Sequence, residues 1–225
     1  MKKLVIIIAL LALVALPVFA KRGNKITVAG STTVLPIAQA TAEIFMDNNP
    51  EINISVRGGG SSVGIAGIMA GTVDIGNASR HIKTKELASA RESGIDPYEI
   101  VVANDGIAIV VHKNNSIKDL TLEQIKDIYT GKISNWKEVG GPSLPIVVIS
   151  RDVSSGTFEV FNSLVLRKAK AVDSALMLAS NNAVVSTIAT TPGAIGYAGL
   201  GYVNETVNTV KVLSLIHISE PTRPY

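Results

Sequence analysis

Ser150-Arg151-Asp152-Val153-Ser154-Ser155-Gly156-Thr157 follows the apolar run Ile146-Val147-Val148-Ile149 and leads into a helical stretch from Phe158 to Leu166. The order is strand, hydroxyl-rich loop, helix. A helix start presents unpaired N–H groups and about half a positive charge, which suits an anion. Outward from this stretch the same order recurs. Gly30-Ser31-Thr32-Thr33 follows the strand Ile26-Thr27-Val28-Ala29, and Gly58-Gly59-Gly60-Ser61-Ser62 follows the alternating Ile52, Ile54 and Val56. A fourth loop, Asn77-Ala78-Ser79-Arg80, follows Val73-Asp74-Ile75-Gly76. Several such loops in one chain, one of them with an arginine, point to a buried oxyanion held between helix ends.

The intervening segments supply the frame. Pro36 suits a first helical turn, Ile37, Ala40, Ile44 and Phe45 recur at helical spacing, and Asn48-Asn49-Pro50 stops that helix. Helices are expected over Ser62–Ala70, near 83–93, over Thr121–Tyr129 behind a capping box of Thr121 with Gln124, and near 173–180 and 183–190. Strands are expected at Ile100–Ala103, Ile107–Val111, Ala194–Tyr197 and from Val210. Strands alternating with helices make an α/β protein with mostly parallel sheets. In such sheets ligands bind beyond the carboxyl ends of the strands, where all four serine-bearing loops lie.

Composition narrows the function. The 225 residues are 47% hydrophobic, 17% charged and 4% aromatic, enough for one or two globular domains. The formal charge is +3, and removing residues 1–20 takes Lys2 and Lys3 away and leaves +1. No basic stripe with interleaved aromatics is present, so nucleic acid is not an expected partner. The absence of cysteine excludes disulfides, thiolate chemistry, cysteine-held metals and a lipid anchor on cysteine. Lys2-Lys3, the apolar run Leu4–Leu16 and the small-residue ending at Ala20 read as a signal peptide over residues 1–20, with an uncleaved membrane anchor as the alternative. Either places the folded part outside the cytoplasmic membrane. Residues 214–225, with two prolines and no periodicity, look like translated adaptor sequence, a non-native tail that leaves the natural C-terminus missing.

Enzyme motifs fare poorly. No lysine follows the triple glycine as a nucleotide P-loop requires, and Val63 breaks the dinucleotide glycine pattern. Gly60-Ser61-Ser62-Val63-Gly64 fits the nucleophile elbow of α/β-hydrolases, with Ser62 as nucleophile. The histidines at 81, 112 and 217 have no evident acid partner in the expected order. No metal constellation and no cofactor motif are present. Arg151 is the natural anion ligand, because its planar fork matches a tetrahedral oxyanion and the neighbouring hydroxyls add neutral donors.

From about residue 24 to residue 213 the chain resembles the extracytoplasmic phosphate-binding proteins of ABC phosphate importers. The resemblance rests on Ala29–Thr33, Gly58–Gly64, Asp74–Arg80 and Ser150–Thr157, with Leu120–Ile125, Ile128–Gly131 and Asn135-Trp136 in support. It implies a two-lobed type II periplasmic-binding-protein fold, truncated at its C-terminus, that closes on phosphate as a monomer, delivers it to permease subunits and does no covalent chemistry. The implied lobes are 24–103 and 104–196, with 197–213 returning toward the first lobe. The implied phosphate ligands are Ser31, Thr32 and Thr33, Ser61 assisted by Ser62, Ser79 and Arg80, Arg151, and Ser154, Ser155, Gly156 and Thr157. Some members carry an aspartate where Ser79 stands, to accept the phosphate proton and reject sulfate. Here that acceptor must come from elsewhere, Asp105 and Asp152 being candidates. Sulfate, molybdate or tungstate binding, and a secreted serine hydrolase using Ser62, stay open as alternatives.

Overall fold

The structure is a computed structural model that describes residues 23–213; the leader and the tail fall outside the described residues. The first lobe is a three-stranded parallel sheet, order β2-β1-β3, made of β1 (Lys25–Gly30), β2 (Asn53–Arg57) and β3 (Ile75–Asn77). Its helices are α1 (Leu35–Asn48), α2 (Ser61–Met69) and α3 (Thr84–Glu92). Because the strands are parallel, their carboxyl ends lie on one edge. Register sets Ala29 opposite Arg57 and Gly30 opposite Asn77, so the loops that follow leave side by side.

The second lobe is built on β4 (Ile107–His112), β5 (Asp119–Thr121), β6 (Val147–Arg151), β7 (Leu176–Leu178), β8 (Ala194–Gly199) and β9 (Val207–Leu213). Their order is β5-β9-β4-β8-β6-β7. β4 runs antiparallel to β8 and β9, and the other pairings are parallel. The helices are α4 (Leu122–Tyr129), α5 (Gly156–Leu164) and α6 (Asn181–Thr190). The continuous apolar run of β4 marks a central strand covered on both faces. Ile109 and Val111 pack with Tyr129, Trp136, Phe161 and Tyr197, while Val110 faces Val184, Val185 and Ile188 of α6. Phe161 and Tyr197 stack with centroids 3.9 Å apart, and Tyr129 is tilted against Phe161 at 4.8 Å.

Several expectations hold at residue level. Pro36 lies in the first turn of α1, and Thr121 caps α4 by accepting from Gln124 N while Gln124 Oε1 accepts from Thr121 N at 2.8 Å. Three do not. Residues 100–103 form no strand: Ile100, Val101 and Val102 are 66–70% exposed, because β-branched composition makes a strand only where a sheet edge receives it. The expected helix at 173–180 is instead β7, drawn onto the free edge of β6 with Ile149 opposite Leu176, so tertiary pairing overrides the helix-favouring Ala, Leu and Met. Residues 197–213 add no strand to the sheet of the first lobe, although Tyr202 reaches that lobe through Thr32 O. β8 runs on to Gly199 and β9 sits between β4 and β5, since Val207 and Val210 bury on opposite faces of the same sheet.

Candidate functional site

The carboxyl ends of β1, β2 and β3 deliver the loops at 31–33, 58–60 and 78–80, and α2 begins at Ser61. From the second lobe, β6 ends at Arg151, α5 begins at Gly156, α6 begins at Asn181 and β8 ends at Gly199. These two sets face one another and touch.

Arg151 is the centre. Its side chain is buried at 1% exposure, and its fork meets only neutral acceptors. Nε donates to Leu178 O at 3.1 Å, Nη1 to Asn181 Oδ1 at 2.9 Å, and Nη2 to Ala179 O at 3.0 Å and Thr32 Oγ1 at 3.1 Å. The last bond crosses between lobes. Burial pushes the guanidinium pKa down and the Asp152 charge works against that. A guanidinium remains protonated in either case. A buried charge bonded only to neutral groups is electrostatically incomplete, and a carboxylate or oxyanion completes it.

The hydroxyls gather on either side. Thr33 Oγ1 lies 3.2 Å from Thr157 Oγ1 of α5, and Tyr202 donates its hydroxyl to Thr32 O. Ser61 Oγ accepts from Ser79 N at 2.9 Å and lies 3.1 Å from Ser79 Oγ. Gly156 sits against both serines, and a Cβ there would overlap Ser61 Oγ and Ser79 Oγ. Gly60, at φ +96°, lets Ser62 N donate to Ser154 O at 3.0 Å; a Cβ on Gly60 would stand 2.5 Å from Ser154 Oγ. Ser31 is buried and its Oγ accepts from Thr33 N at 3.1 Å, while Ser155 Oγ caps α5 through Phe158 N at 3.2 Å. Four helix N-termini, those of α1, α2, α5 and α6, thus start from these loops, all with partial positive charge.

One sequence candidate stands apart from this cluster in what it bonds. Arg80 turns into an ion-pair group: its Nη1 and Nη2 grip Glu86 at 2.9 and 2.8 Å and its Nε lies 2.9 Å from Glu159 Oε2 of α5. It reaches Ser62 Oγ only at 3.3 Å. The bond from Arg80 depresses the Glu86 pKa, and that bond in turn raises the pKa of Arg80. Asp152 Oδ1 accepts from Ser154 N at 2.9 Å and stands 2.5 Å from Ser154 Oγ. Asp105 is beside Gly199 and Thr33, where a Cβ on Gly199 would stand 2.9 Å from Asp105 Oδ2. Sequence reading missed Asn181, Tyr202 and Glu159. Asn181 was legible at most as the residue after the helix cap Ser180.

Ser62 has no imidazole partner among the described residues. His81 pairs with Glu99 and His112 Nδ1 accepts from Asn114 N at 3.1 Å. No group of histidines, cysteines and carboxylates among the described residues has the arrangement of a metal site.

Residues 18–222 match the family model described as a PBP superfamily domain. The chain is 37% identical over 188 residues to the phosphate-binding protein PstS of Bacillus subtilis, covering 82% of this chain and 60% of that protein. It is 30% identical over 232 residues to PstS of Borreliella burgdorferi, covering 99% of this chain and 81% of that protein. A solved structure with bound phosphate from Clostridium perfringens, described as a phosphate ABC transporter substrate-binding protein, superposes with a TM-score of 0.77 at 43% identity. That match covers 84% of this chain and 75% of the solved one. An ABC-type phosphate transport receptor from Vibrio cholerae gives a TM-score of 0.63 at 33% identity, covering 83% of this chain and 76% of the receptor. The chain spans about 60% of the length of the Bacillus relative and 59% of Protein SphX of Synechococcus elongatus. With its two-lobed α/β fold and these matches, the chain belongs to the PBP superfamily and, within it, to the PstS phosphate-binding proteins.

Proposed function

We propose that this chain captures inorganic phosphate between its lobes, outside the cytoplasmic membrane, and delivers it to the permease subunits of an ABC importer. The observation that carries this reading is Arg151, buried and bonded only to neutral acceptors, amid four helix N-termini. In this reading Ser31, Thr32, Thr33, Ser61, Ser62, Ser79, Ser154, Ser155, Gly156 and Thr157 contribute hydroxyl and backbone donors. Arg80, taken up by Glu86 and Glu159, acts on the cleft wall and not on the anion. Residues 24–103 form one jaw and the chain from 104 onward the other. The protein works as a monomer and does no covalent chemistry. No helix among the described residues is long and apolar enough to cross a membrane.

Calorimetry with phosphate, sulfate, molybdate and tungstate between about pH 5 and pH 8 tests the ligand. Phosphate carries a proton that sulfate lacks, and a proton facing only donors costs roughly 1–3 kcal/mol. Preference for phosphate is expected, with Asp152, Asp105 or a backbone carbonyl as acceptor. Preference for sulfate across that range would overturn the phosphate assignment. A serine-directed fluorophosphonate is expected to leave Ser62 unlabelled; labelling with ester turnover would favour a hydrolase.

A further inference from the structure

Asn181 is completely buried in the first turn of α6, behind Ser180, whose Oγ accepts from Ala183 N at 3.1 Å. Every hydrogen-bonding position of its amide is used. Oδ1 accepts from Arg151 Nη1 at 2.9 Å and from Gly199 N at 3.2 Å. Nδ2 donates to Thr33 Oγ1 at 3.0 Å and reaches Thr32 Oγ1 at 3.4 Å. Two N–H donors converging on one end identify it as the oxygen. The acceptor end serves the second lobe alone and the donor end serves the first lobe alone.

We propose that Asn181 is a positioning residue that orients the Arg151 fork without neutralising it and couples that orientation to the approach of the first lobe through Thr33. The proposal rests on the oxyanion reading above. An aspartate has the same shape and would orient Arg151 equally well. It would also cancel the charge an anion needs and lack the N–H groups that Thr32 and Thr33 receive. A neutral amide satisfies both demands. The titratable groups around it and its Arg151 partner are Asp152 directly after β6, Tyr197 of β8, Tyr202 beyond it, and Asp105 beside Gly199.

The test combines Asn181→Asp and Asn181→Ser with two readouts. Phosphate affinity is measured by calorimetry at about pH 5.5 and about pH 8.5, between which phosphate gains its second negative charge. Asn181→Asp should fold and bind roughly 10- to 100-fold more weakly at the higher pH. Its deficit should be smaller at the lower pH, where the introduced carboxylate repels a singly charged ligand. A deficit under threefold at both, or an equal deficit at both, overturns the charge role. The second readout uses a dye pair on Gln39→Cys of α1 and Lys118→Cys of the second lobe, both exposed, in a chain without native cysteine. Both Asn181 variants should widen the inter-lobe distance distribution relative to the parent. An unchanged distribution overturns the coupling. If the parent binds no oxyanion, the functional reading fails, and the dye readout still decides whether Asn181 ties the lobes.

Discussion

Arg151 donates to Leu178 O, Asn181 Oδ1, Ala179 O and Thr32 Oγ1, which accounts for four of its five N–H groups and leaves one on Nη1 for a ligand. Arg151→Ala should therefore lower phosphate affinity by about 10- to 100-fold, since a charge-assisted bond contributes roughly 1.5–3 kcal/mol. Arg151→Lys should also lose affinity, because an ammonium cannot hold the fork geometry. Lys168→Ala, on the exposed segment after α5, should bind as the parent does. Calorimetry of the three variants checks this; parent-like binding by both Arg151 variants would remove Arg151 from the site. Gly156→Ala is a complementary probe. Its Cβ would overlap Ser61 Oγ and Ser79 Oγ on the other lobe, and overpacking of that kind costs about 1–3 kcal/mol. An affinity loss of about tenfold or more is expected, with little change in thermal unfolding. Arg151 was legible because its loop carries its own chemistry. Asn181 was not, because its meaning lies in Arg151, Gly199 and Thr33, which no local pattern connects to it. Arg80 was legible as a cation, but Glu159, which claims it, belongs to the opposite lobe.

Among the elements, those with internal signals read clearly. The Thr121 and Gln124 box starts α4, Pro36 starts α1, and the apolar β4 takes the middle of its sheet. The elements that depend on a distant neighbour read poorly. β7 has only three residues and exists through the edge of β6, while 100–103 has strand composition and no sheet to join. α3 offers a pH test. Its first-turn Glu86 is held below the usual carboxylate range, chiefly by the hydrogen bond from Arg80. A depressed folded pKa means stability that is present above the unfolded value of about 4.3 and is lost as pH falls toward the folded one. Glu86→Gln should thus cost about 1 kcal/mol near pH 6, a magnitude suited to a partly exposed ion pair. The difference from the parent should shrink on acidification from about pH 5 to pH 3. Thermal unfolding across that range checks it; a constant difference would mean that Glu86 acts through packing alone.

Across the whole molecule, strand order does what no single motif can. The parallel order β2-β1-β3 brings three separate loops to one edge, and β6, β7 and β8, mutually parallel, bring Arg151, Leu178 and Gly199 to the facing edge. Interlobe links then form at several points: Arg151 to Thr32, Asn181 to Thr33, Ser62 to Ser154, and Glu159 to Arg80 and Lys83. The fold class followed from the alternation of strands and helices. The extra span of the second sheet did not, since β9 inserts between strands far from it in the chain. The depth of Arg151 has a kinetic consequence. At 1% exposure, an anion bonded to it leaves only after the jaws separate, so the clock for escape is the hinge and not the strength of any one bond. Oxyanions that differ in equilibrium affinity should then depart with a common rate constant and differ in how fast they trigger closure. Stopped-flow displacement of two such ions measures this, and departure rates that track their affinities would show that the anion can slip out while the jaws stay shut.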